Sequence, residues 1–329
     1  MSGWRQSLFG WCAFGVCALG VCTAQAQGMA YPQKAIRMIV PYAPGGNADI
    51  TARVMARKMS EGLGQPIVID NKGGANGGIG TEMVAKAAPD GYTVLMVASG
   101  PIVINPVLYD KVSYDPQRDL QPVSLVLTYQ YALVTPAQSP WRSVAELMQA
   151  AREQPGSLSY GSAGIGAGGH LAAEWLAESA RVKLSHVPYK GNAPALADLL
   201  GGVLSFTFDT VVTTVPHVRS GRLRALAVSG AKRAQALPQV PTLQELGYKD
   251  FEVSQFVGLM VPAKTDVAVV RRLQEEVVRA LKSPEVIERL QNEGGNELVG
   301  STPEAFAAVI ARELGQYRKW IQNTHVSKD

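Results

Sequence analysis

A glycine turn between a strand and a helix is the feature that most constrains how this chain folds. Residues 36–42 form a nearly continuous apolar run, which predicts a strand buried on both faces of a parallel sheet. The turn Pro44-Gly45-Gly46 follows, and a helical pattern begins at about Asp49. Because the two glycines carry no side chains, a ligand can approach the main chain beside the free N–H groups of the helix. This stretch therefore predicts an anion site.

The same arrangement recurs near the middle of the chain. A short strand at residues 158–160 leads into a glycine-rich loop at residues 161–169, and a helix is predicted over residues 170–180. A chain of 329 residues is long enough for two domains. We therefore expect each domain to contribute one glycine loop, and the protein to close on an anion between the two loops.

Strands and helices alternate after each turn, which predicts parallel sheets flanked by helices. Two long apolar runs, residues 123–134 and 251–261, are predicted to cross between the domains in opposite directions. The predicted organisation is a signal peptide at residues 1–26, a first domain formed by residues 27–128 and 253–329, and a second domain formed by residues 129–252.

The N-terminus indicates export from the cytoplasm. Arg5 precedes an apolar run at residues 8–21, and Ala24-Gln25-Ala26 has the small-x-small pattern of a cleavage site. An uncleaved anchor and lipidation at Cys22 are the alternatives. All three cysteines lie within the predicted signal peptide, so the mature chain has no disulfide, thiolate metal site or cysteine nucleophile. A cysteine-free exported protein is typical of a bacterial periplasm.

Composition and motifs exclude several classes of function. The formal net charge of +4 includes no run of Lys or Arg, so no nucleic-acid partner is predicted. Residues 164–169 match the dinucleotide pattern G-x-G-x-x-G, but the next strand ends at residues 186–190 without the acidic residue that would hold a ribose. We therefore predict no nicotinamide cofactor, and no other cofactor is indicated.

An exported hydrolase of small esters or amides is the alternative from another functional class. Ser99, Ser162 and Ser229 each stand beside glycine near a predicted strand end, but none lies in a G-x-S-x-G elbow. A catalytic triad with one of the histidines would have to assemble in space. The chain has four histidines, His170, His186, His217 and His325, and their spacing matches no zinc motif, so no metal site is predicted.

Two acidic and four aromatic residues have two possible roles each. Asp49 and Asp209 stand where a loop meets a helix, so each either caps backbone N–H groups or orients a ligand. The aromatic residues either line a cleft or belong to the core; they are Tyr42, Tyr131, Tyr189 and Phe256.

Several segments, taken in order, resemble one known family. They are residues 41–53, 71–80, 88–93, 104–109, 161–170, 187–195, 208–209 and 221–227. Together they resemble the Bug family of periplasmic solute receptors, the extracytoplasmic component of tripartite tricarboxylate transporters. The resemblance covers nearly all of the mature chain and is specific for the family, but not for a substrate.

The resemblance implies a fold and a function. The fold is α/β, a two-domain periplasmic-binding-protein (Venus flytrap) fold of type II-like organisation, with a mainly parallel sheet flanked by helices in each domain. The function is that of a monomeric, non-enzymatic receptor that captures a small organic carboxylate, such as a dicarboxylate, an amino acid or an aromatic acid. The partners are membrane transporter subunits or, alternatively, a membrane signalling protein.

In this family, one loop from each domain pinches the ligand carboxylate through main-chain N–H groups, hydroxyl groups and water. Carried over to this chain, the resemblance implies the following ligand-binding residues: Tyr42, Ala43, Gly45, Gly46, Asn47, Asp49, Ser99, Gly100, Ser162, Ala163, Gly164, Gly168, Gly169, His170, Tyr189, Asp209, Thr210 and Phe256. Departures from the usual family pattern occur at Asn47, at residues 102–103, at Gly168-Gly169 and at residues 255–257. These departures affect the side-chain pocket. The carboxylate clamp is therefore expected, but the identity of the ligand is not determined.

Overall fold

A computed structural model describes residues 31–323, with side chains to residue 319, and contains one mixed ten-stranded sheet. The strands are β1 (Ile36–Val40), β2 (Ile67–Asn71), β3 (Thr93–Ala98), β4 (Leu120–Pro136), β5 (Ser159–Ser162), β6 (Ser185–Pro188), β7 (Phe206–Thr210), β8 (Leu223–Val228), β9 (Ser254–Pro262) and β10 (Glu297–Leu298). The predicted signal peptide and His325 lie outside the described residues.

Helices follow most of these strands. They are α1 (Asn47–Leu63), α2 (Gly78–Ala85), α3 (Asn105–Leu108), α4 (Val144–Glu153), α5 (Gly168–Ala180), α6 (Asn192–Leu200), α7 (Val211–Arg219), α8 (Val267–Leu281), α9 (Pro284–Val286) and α10 (Pro303–Asn323), with π-helical turns at Gly100–Ile104 and Ile287–Asn292. Among the described residues, none of these helices has the length and apolar character needed to cross a bilayer.

The sheet is parallel at its two ends and antiparallel in its middle. The order is β2-β1-β3-β9-β4-β7-β5-β6, with β8 and β10 also paired to β4. Strands β1, β2 and β3 pair in parallel, as do β5, β6 and β7, whereas β9 and β4 run antiparallel to their neighbours. We call β1–β3, β9 and β10 with their helices the first half, and β5–β8 with their helices the second half.

Strand β4 belongs to both halves. Its 17 residues extend over about 55 Å. Residues 120–130 pair with β9, and residues 131–136 pair with β7 and β8. The predicted domain boundaries at residues 128 and 252 stay a prediction.

Both glycine loops lead into helices slightly earlier than the sequence pattern suggests. Helix α1 begins at Asn47 rather than at about Asp49, after Gly45 has turned the chain with a φ of +87°. Helix α5 begins at Gly168, two residues before the predicted start at His170. The helix N-termini, and their free amides, therefore lie within the glycine loops themselves.

Local hydrogen bonds position α8 and α3. Asp266 caps α8, because its carboxylate accepts a hydrogen bond from Ala268 N. The sequence pattern at residues 105–109 predicts surface turns and a short helix, and the short helix is present as α3. Asn105 and Leu108 are buried, and Asn105 donates to the carbonyls of the 75–76 loop.

Candidate functional site

A small cavity lies where the N-termini of α1 and α5 converge. Water centres can occupy about 30 Å³ of it, which is room for about two water molecules or a comparably small ligand. Its walls are formed by Tyr42, Gly46, Asn47, Ala48, Asn76, Ala98, Tyr129, Tyr131, Ala163, Ala167, Gly168, Gly169, Asn192, Thr210 and Gln255. Both halves contribute to the walls, so the cavity lies between them.

The cavity is electropositive without containing a cation. No Lys, Arg or His side chain is among its lining residues. In α1 the first intrahelical bond runs from Ile50 N to Gly46 O, and in α5 it runs from Leu171 N to Ala167 O. The amides before Ile50 and Leu171 have no acceptor within their own helix, and each helix directs the positive end of its dipole to the cavity. Convergent N–H dipoles of this kind bind anions.

Three amide side chains in the walls have an unpartnered polar atom. Asn47 Nδ2, Asn76 Oδ1 and Gln255 Nε2 have no hydrogen-bond partner among the described residues, although each side chain is at most 5% exposed. A buried polar group that stays unpaired costs about 1–3 kcal/mol. Two of the three atoms are donors, so the walls favour a ligand rich in oxygen acceptors.

The orientation of the Asn76 amide follows from its neighbour. Asn105 donates through Nδ2 to Ala75 O at 3.1 Å, which leaves Asn105 Oδ1 to accept from Asn76 Nδ2 at 2.9 Å. Asn76 Oδ1 is therefore the atom without a partner. It gives the cavity one acceptor, which suits a ligand or water that also carries a hydrogen-bond donor.

Asp49 holds the first loop in shape. Its carboxylate accepts hydrogen bonds from Gly45 N, Arg53 Nε and Asn71 Nδ2, each at 2.9 Å. Burial by itself would raise the pKa of Asp49, but the hydrogen bonds from Arg53, Gly45 and Asn71 together lower it. Asp49 is not among the lining residues, so the geometry favours the capping role over direct ligand contact.

A cluster behind the second loop fixes its conformation. The Ser162 hydroxyl accepts from Gly164 N at 3.1 Å and lies 2.7 Å from His186 Nε2. His170 Nδ1 accepts from Gly166 N at 3.1 Å, and its ring stacks on that of His186 at 4.2 Å. Burial, with a smaller contribution from His186, lowers the pKa of His170 to about 3, and burial lowers that of His186 to about 4. Both rings are therefore neutral at physiological pH.

The serine positions do not form a nucleophile in the cavity. Ser162 is 2% exposed and engaged by the loop, Ser99 Oγ accepts from Phe256 N, and Ser229 Oγ accepts from Tyr131 N. None of the three serines lines the cavity. The described part of the chain also contains no group of three His, Cys, Asp or Glu residues placed to hold a metal ion.

The predicted site residues divide into two groups. The structure brings Tyr42, Gly46, Asn47, Ala163, Gly168, Gly169 and Thr210 into the cavity wall. It places the others outside that wall: Ala43, Gly45, Asp49, Ser99, Gly100, Ser162, Gly164, His170, Tyr189, Asp209 and Phe256. The second group includes the residues that hold the two loops in place.

Four of these outer residues have contacts that explain their position. Ala43 N donates to Lys190 O at 3.2 Å, and the Tyr189 hydroxyl donates to Asp198. Phe256 is fully buried edge-on against Phe306. Asp209 is buried behind Asn192, which donates to it, and burial raises the pKa of Asp209 to about 6.

Sequence reasoning did not include several lining residues in the site. They are Ala48, Asn76, Ala98, Tyr129, Ala167, Asn192 and Gln255, whereas Tyr131 was already named as a residue that either lines a cleft or belongs to the core. The signal for the aromatic pair is present in the sequence, because Tyr129 and Tyr131 interrupt an apolar run two residues apart and therefore share one face of β4. Gln255 occupies the second crossing run, but only the antiparallel pairing of β4 with β9 brings it beside them.

Comparison with known proteins gives consistent matches over most of the chain. Residues 51–326 match the model of the tripartite tricarboxylate transporter family receptor. Protein BugT of Bordetella pertussis is 36% identical over 295 residues, which cover 89% of this chain and 90% of BugT.

Two ligand-bound structures are similar to this chain throughout. MatC (Rpa3494) from Rhodopseudomonas palustris with bound malate has a TM-score of 0.84 at 30% identity, over 88% of this chain and 99% of MatC. R. palustris Rpa4515 with adipate has a TM-score of 0.85 at 33% identity, over 89% of this chain and 97% of Rpa4515.

Proposed function

Because the chain belongs to the tripartite tricarboxylate transporter receptor family and has its two-domain α/β periplasmic-binding-protein fold, we propose that it captures a small organic carboxylate in the cavity between its halves. The two similar structures that hold malate and adipate support this class of ligand. We propose further that the protein works in the periplasm as a monomer and delivers its ligand to membrane transporter subunits.

The observation that carries the proposal is the composition of the cavity wall. Two helix N-termini and the unpartnered amide donors of Asn47 and Gln255 surround a space whose lining includes no charged side chain. Several oriented N–H groups stabilise a carboxylate in place of one cation. A short acid requires the least widening of this small cavity.

We propose that the protein has no hydrolase activity. The serine hydroxyls considered as nucleophiles hold backbone groups outside the cavity, and the family is one of receptors. The purified protein should therefore release no more nitrophenol from p-nitrophenyl acetate than buffer does. Turnover of that ester above the blank would contradict this part of the proposal.

Calorimetric titration with a panel of acids tests the binding function. The purified protein is titrated with L-malate, succinate, L-glutamate, nicotinate and adipate, and unfolding is followed in parallel. We expect one acid to bind at one site per chain and to raise the unfolding temperature, because a ligand that binds only the folded state stabilises it. Absence of binding by every acid would reject the proposed ligand class.

The variant Asn47→Asp identifies the cavity as the binding site. It replaces a buried donor by a negative charge in the wall, so we expect at least a hundredfold loss of affinity through lost hydrogen bonding and charge repulsion. Asn292→Asp makes the same change in net charge at an exposed position outside the cavity and should leave affinity within twofold. Equal affinities for the two variants would place the ligand elsewhere.

A further inference from the structure

A larger cavity lies behind the proposed ligand cavity, and Gln255 is the one described residue that lines both. Water centres can occupy about 620 Å³ of this back groove. The groove is bounded by α5, by the crossing strands and by α10, and its walls are formed by Thr128, Leu171, Trp175, Glu252, Val253, Ser254, Gln255, Glu297, Arg312, Glu313, Gln316 and Tyr317.

The Gln255 carboxamide is held firmly between the two spaces. On the cavity side, its Oε1 accepts hydrogen bonds from the Tyr131 hydroxyl at 2.7 Å and the Tyr129 hydroxyl at 3.2 Å. Tyr317 is one of the residues that line the groove side. Gly168 packs so closely on it that a Cβ at Gly168 would lie 2.5 Å from Gln255 Cδ. The partition at this point is one tightly packed side chain.

We propose that Gln255 is a specificity-determining residue that limits the length of the ligand by closing the cavity off from the back groove. This inference rests on the proposed function, since it concerns the same binding cavity. With Gln255 in place, the ligand is confined to a small space. Without its carboxamide, the tail of a longer acid has the back groove to enter.

The charge of the back groove predicts which tails it accepts. Its walls contain three carboxyl groups, those of Glu252, Glu297 and Glu313, and one guanidinium group, that of Arg312. Burial raises the pKa of Glu313 to about 7, so this group is partly charged at neutral pH. A tail that ends in an ammonium group is therefore favoured over an uncharged tail, and a second carboxylate is disfavoured by repulsion.

Titration of wild type and Gln255→Ala with four acids tests the inference. Succinate is the short probe, and 6-aminohexanoate, hexanoate and adipate are the long ones. Wild type should prefer succinate to every long acid. In Gln255→Ala, the affinity ratio of 6-aminohexanoate to succinate should rise at least tenfold, with a smaller rise for hexanoate and the smallest for adipate.

Two further variants keep the outcome interpretable. Gln255→Asn retains the amide but is one methylene shorter, so its ratio should move in the same direction by a smaller factor, and it serves if Gln255→Ala fails to fold. Gln130→Ala removes a carboxamide that bonds Gly230 N and Lys232 O away from both cavities, and it should leave every ratio unchanged.

The outcomes separate this inference from the function on which it rests. Wild type that binds succinate, with ratios unchanged in Gln255→Ala and Gln255→Asn, rejects the role of Gln255 and leaves the receptor function intact. Wild type that binds adipate as tightly as succinate also rejects the length limit. Failure of wild type to bind any acid in either panel rejects the receptor function itself.

Discussion

The absence of a side chain at Gly168 leaves room for two residues of the cavity wall. A Cβ at this position would clash with the Tyr131 hydroxyl and lie 2.5 Å from Gln255 Cδ, because α5 begins directly against the crossing strands. At Gly46, in the opposite loop, a Cβ would meet no atom closer than 3.9 Å, and its backbone is extended with a φ of −81°. The two glycines lie at equivalent helix starts but under different steric constraint.

This difference predicts different effects of the same substitution. Gly168→Ala must displace Tyr131 or Gln255 from the wall, so we expect at least a tenfold loss of affinity for the tightest acid of the panel. Gly46→Ala should change affinity by less than threefold. Calorimetric titration measures both, and a larger loss for Gly46→Ala than for Gly168→Ala would contradict the steric argument.

At the residue scale, the sequence could predict the loop part of the cavity and not its side walls. Glycine turns before helix starts identify Gly46, Asn47, Gly168 and Gly169 because the anion-binding property is local to each turn. Gln255 could not be found in this way. Gln255 reaches the cavity only because β9 pairs with β4, which lies more than 100 residues earlier in the sequence. No local sequence pattern predicts that pairing.

Among the elements, α10 carries a carboxyl group whose environment disfavours its charge. Glu313 faces the back groove, and one of its carboxylate oxygens is buried without a partner among the described residues. Burial raises its pKa from 4.5 to about 7. The folded state therefore binds more protons than the unfolded state between these pH values, so the contribution of Glu313 to stability decreases as the pH rises from about 4.5 to 7.

Glu313→Gln should remove this dependence. The variant stays neutral, so we expect its unfolding temperature to exceed that of wild type by a few degrees at pH 8 and by clearly less at pH 5. Glu304→Gln, at an exposed position in the first turn of the same helix, provides the matched change in charge. Thermal unfolding at the two pH values tests this prediction. The same difference in unfolding temperature between Glu313→Gln and wild type at both pH values would show that burial does not raise the pKa of Glu313.

The loop before α5 has the opposite dependence on pH. His170 and His186 stack on each other, and burial holds their pKa values at about 3 and about 4, below the usual 6.5. Their neutral form stabilises the fold fully above pH 6.5. As the pH falls from 6.5 towards 4, the two histidines bind protons in the unfolded state but not in the folded state, so the free energy of unfolding decreases.

His186→Gln tests this effect on the second loop. Glutamine keeps a polar group for the Ser162 hydroxyl but cannot be protonated in this range. The fall in unfolding temperature between pH 7 and pH 5 should therefore be smaller in the variant than in wild type by a few degrees. His217→Gln, at a histidine on α7 away from the loop, is the control and should leave most of the fall in place. An unchanged fall in His186→Gln would contradict the prediction.

Element by element, the alternation of strands and helices was predictable, and errors arose where tertiary contacts override local pattern. Ser143 caps α4 as its position suggests, since its hydroxyl accepts from Glu146 N. Residues 105–109 contain Asn and Pro, which predict surface turns and a short helix, and only the helix is found, as α3. Asn105 and Leu108 are nevertheless buried, and Asn105 donates to carbonyl groups of the 75–76 loop. Only the packed molecule supplies those partners.

At the scale of the whole molecule, direct hydrogen bonds join the two halves around the cavity. Ala43 N of the first loop donates to Lys190 O at 3.2 Å. The Tyr109 hydroxyl, which follows α3, donates to Ile165 O in the second loop at 3.1 Å. Next to it, Leu108 packs against Gly166, where a Cβ would lie 2.6 Å from the leucine side chain. On the expectation that the halves close on the ligand, these contacts between the halves add to the stability of the closed state.

Tyr109→Phe should therefore weaken ligand binding from outside the cavity. Tyr109 is not a lining residue, so the variant leaves the walls intact and removes only the hydrogen bond between the halves. A neutral hydrogen bond contributes about 0.5–1.5 kcal/mol, which corresponds to a roughly two- to tenfold loss of affinity. We expect the loss in the dissociation rate, because the closed state opens more readily while the open state binds as before.

Tyr114→Phe is the control for the loss of a tyrosine hydroxyl close by. The Tyr114 hydroxyl donates to Pro101 O at 2.7 Å, entirely within the first half, so it stabilises that half without joining the two. Stopped-flow dissociation of the tightest acid should be faster in Tyr109→Phe and unchanged in Tyr114→Phe, although Tyr114→Phe should lower the unfolding temperature. Equal dissociation rates in wild type and Tyr109→Phe would mean that the ligand, and not this contact between the halves, holds the molecule closed.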